Sequence, residues 1–104
     1  MTRDAAAGFP ELERMFSGYL HEDFAAEYGS PEAALRAFHG DASPAEWRRF
    51  QREAQRLAVL ADERDFDDIR KMIERLGSHW TPPSRDALIA LLKNARRLKR
   101  SGRR

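Results

Sequence analysis

The sequence predicts an all-α fold: a single domain built as a small bundle of four to five amphipathic helices. Three observations carry that reading. Apolar residues recur at spacings of three and four in successive segments, the period of a helix with one buried face. Prolines stand where first turns should be, twice behind a serine that can cap them. No alternating strand pattern and no Asn-Gly hairpin signal occurs in the chain.

The first helix starts at Pro10, whose missing N–H costs nothing in a first turn, and runs through Leu12, Met15 and Phe16. Gly18 weakens it beside Tyr19, which predicts a break or kink before Asp23. Ser30-Pro31-Glu32 opens the second: serine caps a free N–H, proline presets φ, and glutamate complements the helix dipole. Leu35 and Phe38 give it a short apolar face, and Gly40 is the expected left-handed stop. Ser43-Pro44-Ala45-Glu46 is a full capping box. Behind it Trp47, Phe50, Ala54, Leu57 and Ala61 draw one continuous stripe, with Arg48, Arg49, Arg52 and Arg56 on the opposite face. Asp65 or Asp67 opens the next helix, with Phe66, Ile69, Ile73 and Leu76 inward and Gly77 as its end. Ser84 caps the last one after Thr81-Pro82-Pro83, and Leu88, Leu91, Leu92, Ala95 and Leu98 face inward. The helical domain is thus expected over residues 1–98. A basic C-terminal tail follows over 99–104, because Lys93 to Arg104 holds seven basic residues and no acid.

Composition narrows the function classes. At 104 residues the chain supports one modest core. With no cysteine it has no disulfide, thiolate zinc site or thiol nucleophile, and this fits a reducing compartment. No segment approaches the roughly 20 apolar residues of a membrane span, and the start holds no apolar run of signal-peptide type. The expected location is the cytoplasm. The net charge of +2 hides a division: residues 1–42 hold three arginines against eight acids, net −5, while the remainder holds 16 basic and 9 acidic residues, net +7. Each block can steer a partner of the opposite sign.

Site chemistry is sparse. His21, Glu22, Asp23 and Glu27 are ligand types, but zinc needs several convergent histidines or cysteines, and the HExxH pattern fails at Ala25. No metal site and no cofactor is expected. The serines occupy caps and turns, and there is neither a glycine-rich phosphate loop nor a GxSxG elbow, so no catalytic residue is assigned and the chain is read as no enzyme. Arg48, Arg49, Arg52 and Arg56 with the basic tail could neutralise several phosphates, which makes a small basic helical nucleic-acid-binding protein the alternative function. Glu46, Glu53 and the Asp62-Glu63-Asp65-Asp67-Asp68 cluster interrupt that field, so nucleic acid is not among the expected partners.

One stretch carries a family likeness. Phe9-Pro10-Glu11-Leu12, Gly18-Tyr19-Leu20-His21-Glu22-Asp23-Phe24 and Glu27-Tyr28-Gly29-Ser30, followed by a helix with paired alanines, resemble bacterial immunity proteins of contact-dependent growth inhibition systems. The Ser43-Pro44 helix and His79-Trp80-Thr81-Pro82-Pro83 are similar more loosely, and the arginine-rich tail departs from the pattern. The resemblance implies a cytoplasmic protein that binds the C-terminal toxin domain of a neighbouring cell's exoprotein, commonly a nuclease, in a one-to-one complex. A motif shared among proteins that bind different toxins is expected to be scaffold, so Tyr19, His21, Phe24, Tyr28, Gly29 and Ser30 are assigned to the seam between helices. The toxin-binding surface is then expected to be acidic, because a nuclease cleft attracts carboxylates as it does phosphates. Two patches qualify: Glu22, Asp23, Glu27 and Glu32, and Asp62, Glu63, Asp65, Asp67 and Asp68.

Overall fold

In the computed structural model the described residues, 8–98, form six α-helices and no strand: α1 (Pro10–Gly18), α2 (Phe24–Tyr28), α3 (Pro31–Asp41), α4 (Pro44–Glu63), α5 (Phe66–Arg75) and α6 (Arg85–Arg97). The all-α expectation holds. The sixth element is α2, a single short turn inside the break expected after Gly18. The 99–104 tail lies outside the described residues.

The 20-residue α4 is the axis of the bundle, packing against α6, α1 and α5, while α2 lies on α3 and α3 reaches α6. Its stripe of Trp47, Phe50, Ala54, Leu57 and Ala61 is buried, as the spacing requires. Leu12, Met15, Phe16 and Leu20, then Leu35 and Phe38, then Ile69, Ile73 and Leu76, then Leu88, Leu91, Leu92 and Ala95 close around it. Phe66 and Leu98, expected inward, are only half-buried against this core. An aromatic stack fills one end: Phe38 lies 4.9 Å from Phe50 and Trp47 lies 5.1 Å from Phe50, ring centre to ring centre. His39 meets Trp47 edge-on at 4.5 Å.

Local capping follows the sequence. The hydroxyl oxygens of Ser30, Ser43 and Ser84 accept from the backbone N–H three residues on, and Glu46 completes the capping box by accepting from the Ser43 N–H. Gly77 ends α5 with φ 96, as expected of a left-handed stop. Gly40 does not play that part. It sits inside the last turn of α3, which runs on to Asp41 and leaves through an extended Ala42 whose N–H still bonds Phe38. The extended exit leads directly into Ser43, which must itself be extended to cap α4. Asp65 precedes α5 but its carboxylate makes no cap bond.

Long-range caps complete the accounting. Phe9 cannot cap α1, so Oε1 of Glu53 on α4 accepts from both Glu11 N–H and Leu12 N–H at 2.9 Å. Arg85 of α6 donates to the carbonyls of Ala61 and Arg64 at the C-terminal end of α4. In return Trp47 Nε1 and Gln51 Nε2 donate to Leu98 and Ala95 carbonyls at the end of α6. Each of the three helices thus finishes on a side chain from another.

Candidate functional site

The polar and aromatic side chains of residues 19–30 form a seam joining α1, α2 and α3. Leu20 is fully buried and its carbonyl accepts from His79 N–H at 2.8 Å, tying the break to the α5–α6 link. Tyr19, Phe24 and Tyr28 are half-buried rather than core. The two tyrosine rings stack at 6.0 Å, and Tyr19 meets Phe38 edge-on at 5.4 Å. Tyr19 donates its hydroxyl proton to Asp41 Oδ2 at 2.5 Å. Burial and then that carboxylate push the phenol up to about 12, so it stays protonated. Burial, followed by the bond to Glu27, likewise raises Tyr28.

His21 closes the window on itself. Its Nδ1 accepts from Asp23 N–H at 3.0 Å, which leaves the proton on Nε2 to be donated to Glu27 Oε1 at 2.9 Å. Gly29 ends α2 with φ 92, and Ser30 caps α3. Of the first acidic set, Glu22 and Asp23 point to solvent, Glu27 is held by His21, and Glu32 lies half-buried in the first turn of α3. Among the described residues no group of His, Asp and Glu converges as a metal site.

The second acidic set forms one corner where α4 gives way to α5. Asp62, Glu63, Asp65, Asp67 and Asp68 are all exposed. Asp67 pairs with Arg70 at 2.7 Å, and Arg70 in turn lies over the Phe66 ring. Asp62 and Glu63 occupy the last turn of α4, which contains no basic residue. One turn earlier Val59 stands 48% exposed, the large apolar side chain on the surface of the described residues. Positions 59, 62 and 63 share one helix face. Sequence reasoning passed over Val59, although its position off the buried stripe was the available signal. It also passed over Asp41 and read Glu53 only as a break in the arginine field, because their partners lie 22 and 41 or more residues away.

The opposite sign gathers on the earlier turns of α4. Arg48, Arg49, Arg52 and Arg56 are exposed, as their spacing requires, and with Arg96 of α6 they line an open groove of about 820 Å³. Arg49 bonds Glu11 at 3.3 Å, and Arg56 donates to Gly8 carbonyl and covers the Phe9 ring. The acids that interleave with them in sequence are withdrawn. Glu53 is 5% exposed, and burial raises its carboxyl even though the two α1 N–H groups pull it back. Glu46 is engaged by Ser43 N–H and Arg14, which hold its carboxyl below the ordinary range.

Residues 8–92 match the family model of the CdiI immunity protein. The chain belongs to the CdiI immunity protein family. No curated protein and no solved structure matches it. Membership in the CdiI family implies immunity against a contact-dependent growth inhibition toxin, and hence a cognate toxin as partner. CdiI-family proteins are generally not enzymes. The matched span takes in both acidic sets and the whole seam, and it stops short of Arg96. Among the described residues no helix is long and apolar enough to cross a membrane.

Proposed function

We propose that this CdiI-family chain protects its cell by binding the toxin domain in a one-to-one complex in the cytoplasm, through the acidic corner between α4 and α5, without catalysis or a cofactor. The toxin is a nuclease in this reading, because a cleft built for phosphates is attracted by clustered carboxylates. One observation carries the choice of surface. Asp62 and Glu63 sit exposed at the negative end of the α4 dipole, in a turn that holds no basic residue of its own, while Arg85 reaches the Ala61 and Arg64 carbonyls there rather than either carboxylate. Asp65 beside them makes no cap bond, although its charge suits the positive end of α5. Capping and dipole therefore do not account for Asp62 and Glu63, and a binding role is what their exposure supports. Val59 adds the apolar contact that a desolvated interface centre uses.

Glu27 and Glu32 of the other patch have local structural work in the His21 bond and the α3 first turn. With Glu22 and Asp23 they rank as the second surface. Tyr19, His21, Phe24, Tyr28, Gly29 and Ser30 serve as scaffold, their polar groups being directed mainly at neighbouring backbone and side chains.

The test is a charge reversal, Asp62→Lys with Glu63→Lys and Asp65→Lys, assayed against the cognate toxin domain. Stopped-flow association at low salt should slow by about tenfold or more, growth rescue should weaken, and the helical circular dichroism should hold. Unchanged kinetics would exclude the corner. The same loss from Glu22→Lys with Asp23→Lys would move the interface to α2.

A further inference from the structure

We infer that the arginine groove on the outer face of α4 binds the phosphate backbone of a nucleic acid, at a site separate from the acidic corner. In the sequence, Glu46 and Glu53 break up the run of arginines. In the fold Glu46 is engaged by Ser43 and Arg14, and Glu53, the one acid of the groove lining, is 5% exposed with its carboxylate on the α1 N–H groups. The face that remains is positive. Among the described residues, Arg48, Arg52 and Arg96 line it with no hydrogen-bond or ion-pair partner. Arg48 and Arg52 stand one turn apart, about 6 Å along the axis.

The lining decides the class of ligand. Every residue of the groove is Arg, Gln or Glu. A protein partner would need apolar side chains at the centre of its contact, and the groove offers none. Guanidinium groups with the Gln51 and Gln55 amides are instead the donors that phosphodiesters take, with Arg suited to two-point contact. There is no aromatic ring in the lining on which bases could stack, so binding is to backbone and not to sequence. From Arg48 and Arg52 to Asp62 is about 21 and 15 Å along α4, beyond the screening distance of about 10 Å at 0.1 M salt, whereas Arg56, about 9 Å from Asp62, is held by the Gly8 carbonyl.

The experiment titrates the full chain into labelled 20-nucleotide RNA, single-stranded DNA and duplex DNA between 50 and 200 mM salt. Binding is expected with a slope of log K against log salt of about −2 to −3, from three free guanidiniums. Arg48→Gln with Arg52→Gln and Arg96→Gln should weaken it at least tenfold and flatten the slope. Lysine at the same three positions should restore part of it. A matched neutralisation outside the groove, Arg64→Gln with Lys71→Gln and Arg75→Gln, should change binding by less than threefold. The three nucleic acids tell RNA from DNA as the source of the phosphates. The inference is overturned if no oligonucleotide binds at 50 mM salt, or if both triple variants weaken binding alike. It is overturned too if polyglutamate competes as well as the oligonucleotides, which would assign the groove to an acidic polypeptide. Toxin association of the groove variant should stay intact, which separates this result from that of the corner.

Discussion

Two glycines make opposite demands on the chain. At Gly77, φ is 96 and an added Cβ would sit 2.6 Å from the Ser17 Cβ and 3.2 Å from its Cα. That contact brings the end of α5 against the end of α1, so Gly77→Ala should cost about 1–3 kcal/mol through strain alone, read as a lower urea midpoint. Gly40 lies inside α3 with nothing within 4 Å of a Cβ, and Gly40→Ala should add about 0.5–1 kcal/mol in the same assay. Glu53 gives a pH signature. Burial raises its folded pKa, so the folded state binds its proton more tightly than the unfolded chain. Its contribution is fully present below the unfolded carboxyl pKa and is lost as pH rises through the raised folded value. Glu53→Gln keeps an oxygen for the α1 N–H groups and loses that titration. The variant should therefore gain on the parent as pH rises from 4 to 7 in denaturation curves, whereas Glu53→Ala should cost about 1–3 kcal/mol by orphaning two donors.

At the level of elements, the separation of partners along the chain decided what could be read in advance. Ser30, Ser43 and Ser84 act on N–H groups three residues ahead, and the stripe of α4 repeats within one helix, so both were legible. Glu53, Arg85, Trp47 and Gln51 bridge 21 to 51 residues, and no local pattern announces such a bridge. Gly40 misled because the exit from α3 was fixed by the next cap and not by glycine's freedom. Of the candidate surface, the acids were visible as a charge run, while their position against the α4 dipole required knowing where the helix ends. Arg85→Ala removes the donors that hold that end. Amide exchange at residues 62–64 should rise about fivefold, in keeping with roughly 1 kcal/mol for a lost hydrogen bond, while exchange in the α1 interior stays unchanged.

Across the whole molecule, charge is sorted by position more than by amount. Arginines occupy the outer face of α4 and acids its last turn and the start of α5. A net charge of +2 therefore describes neither face. Under the proposed function, raising salt from about 0.05 to 0.5 M, which cuts the screening length from roughly 14 to 4 Å, should slow toxin association strongly. Dissociation should change little, because release depends on the packed centre and not on the long-range field. Equal salt sensitivity in both rates would point to ion pairs within the contact itself.

The dependence of α1 on Glu53 also bears on how the chain could be divided. Residues 8–42 alone would carry a helix whose first donors have no acceptor, and residues 43–98 alone would hold a carboxylate aimed at nothing. Split-protein complementation at the Ala42–Ser43 joint should consequently be all-or-none: two silent fragments in isolation, and one protective molecule when both are present in the same cell.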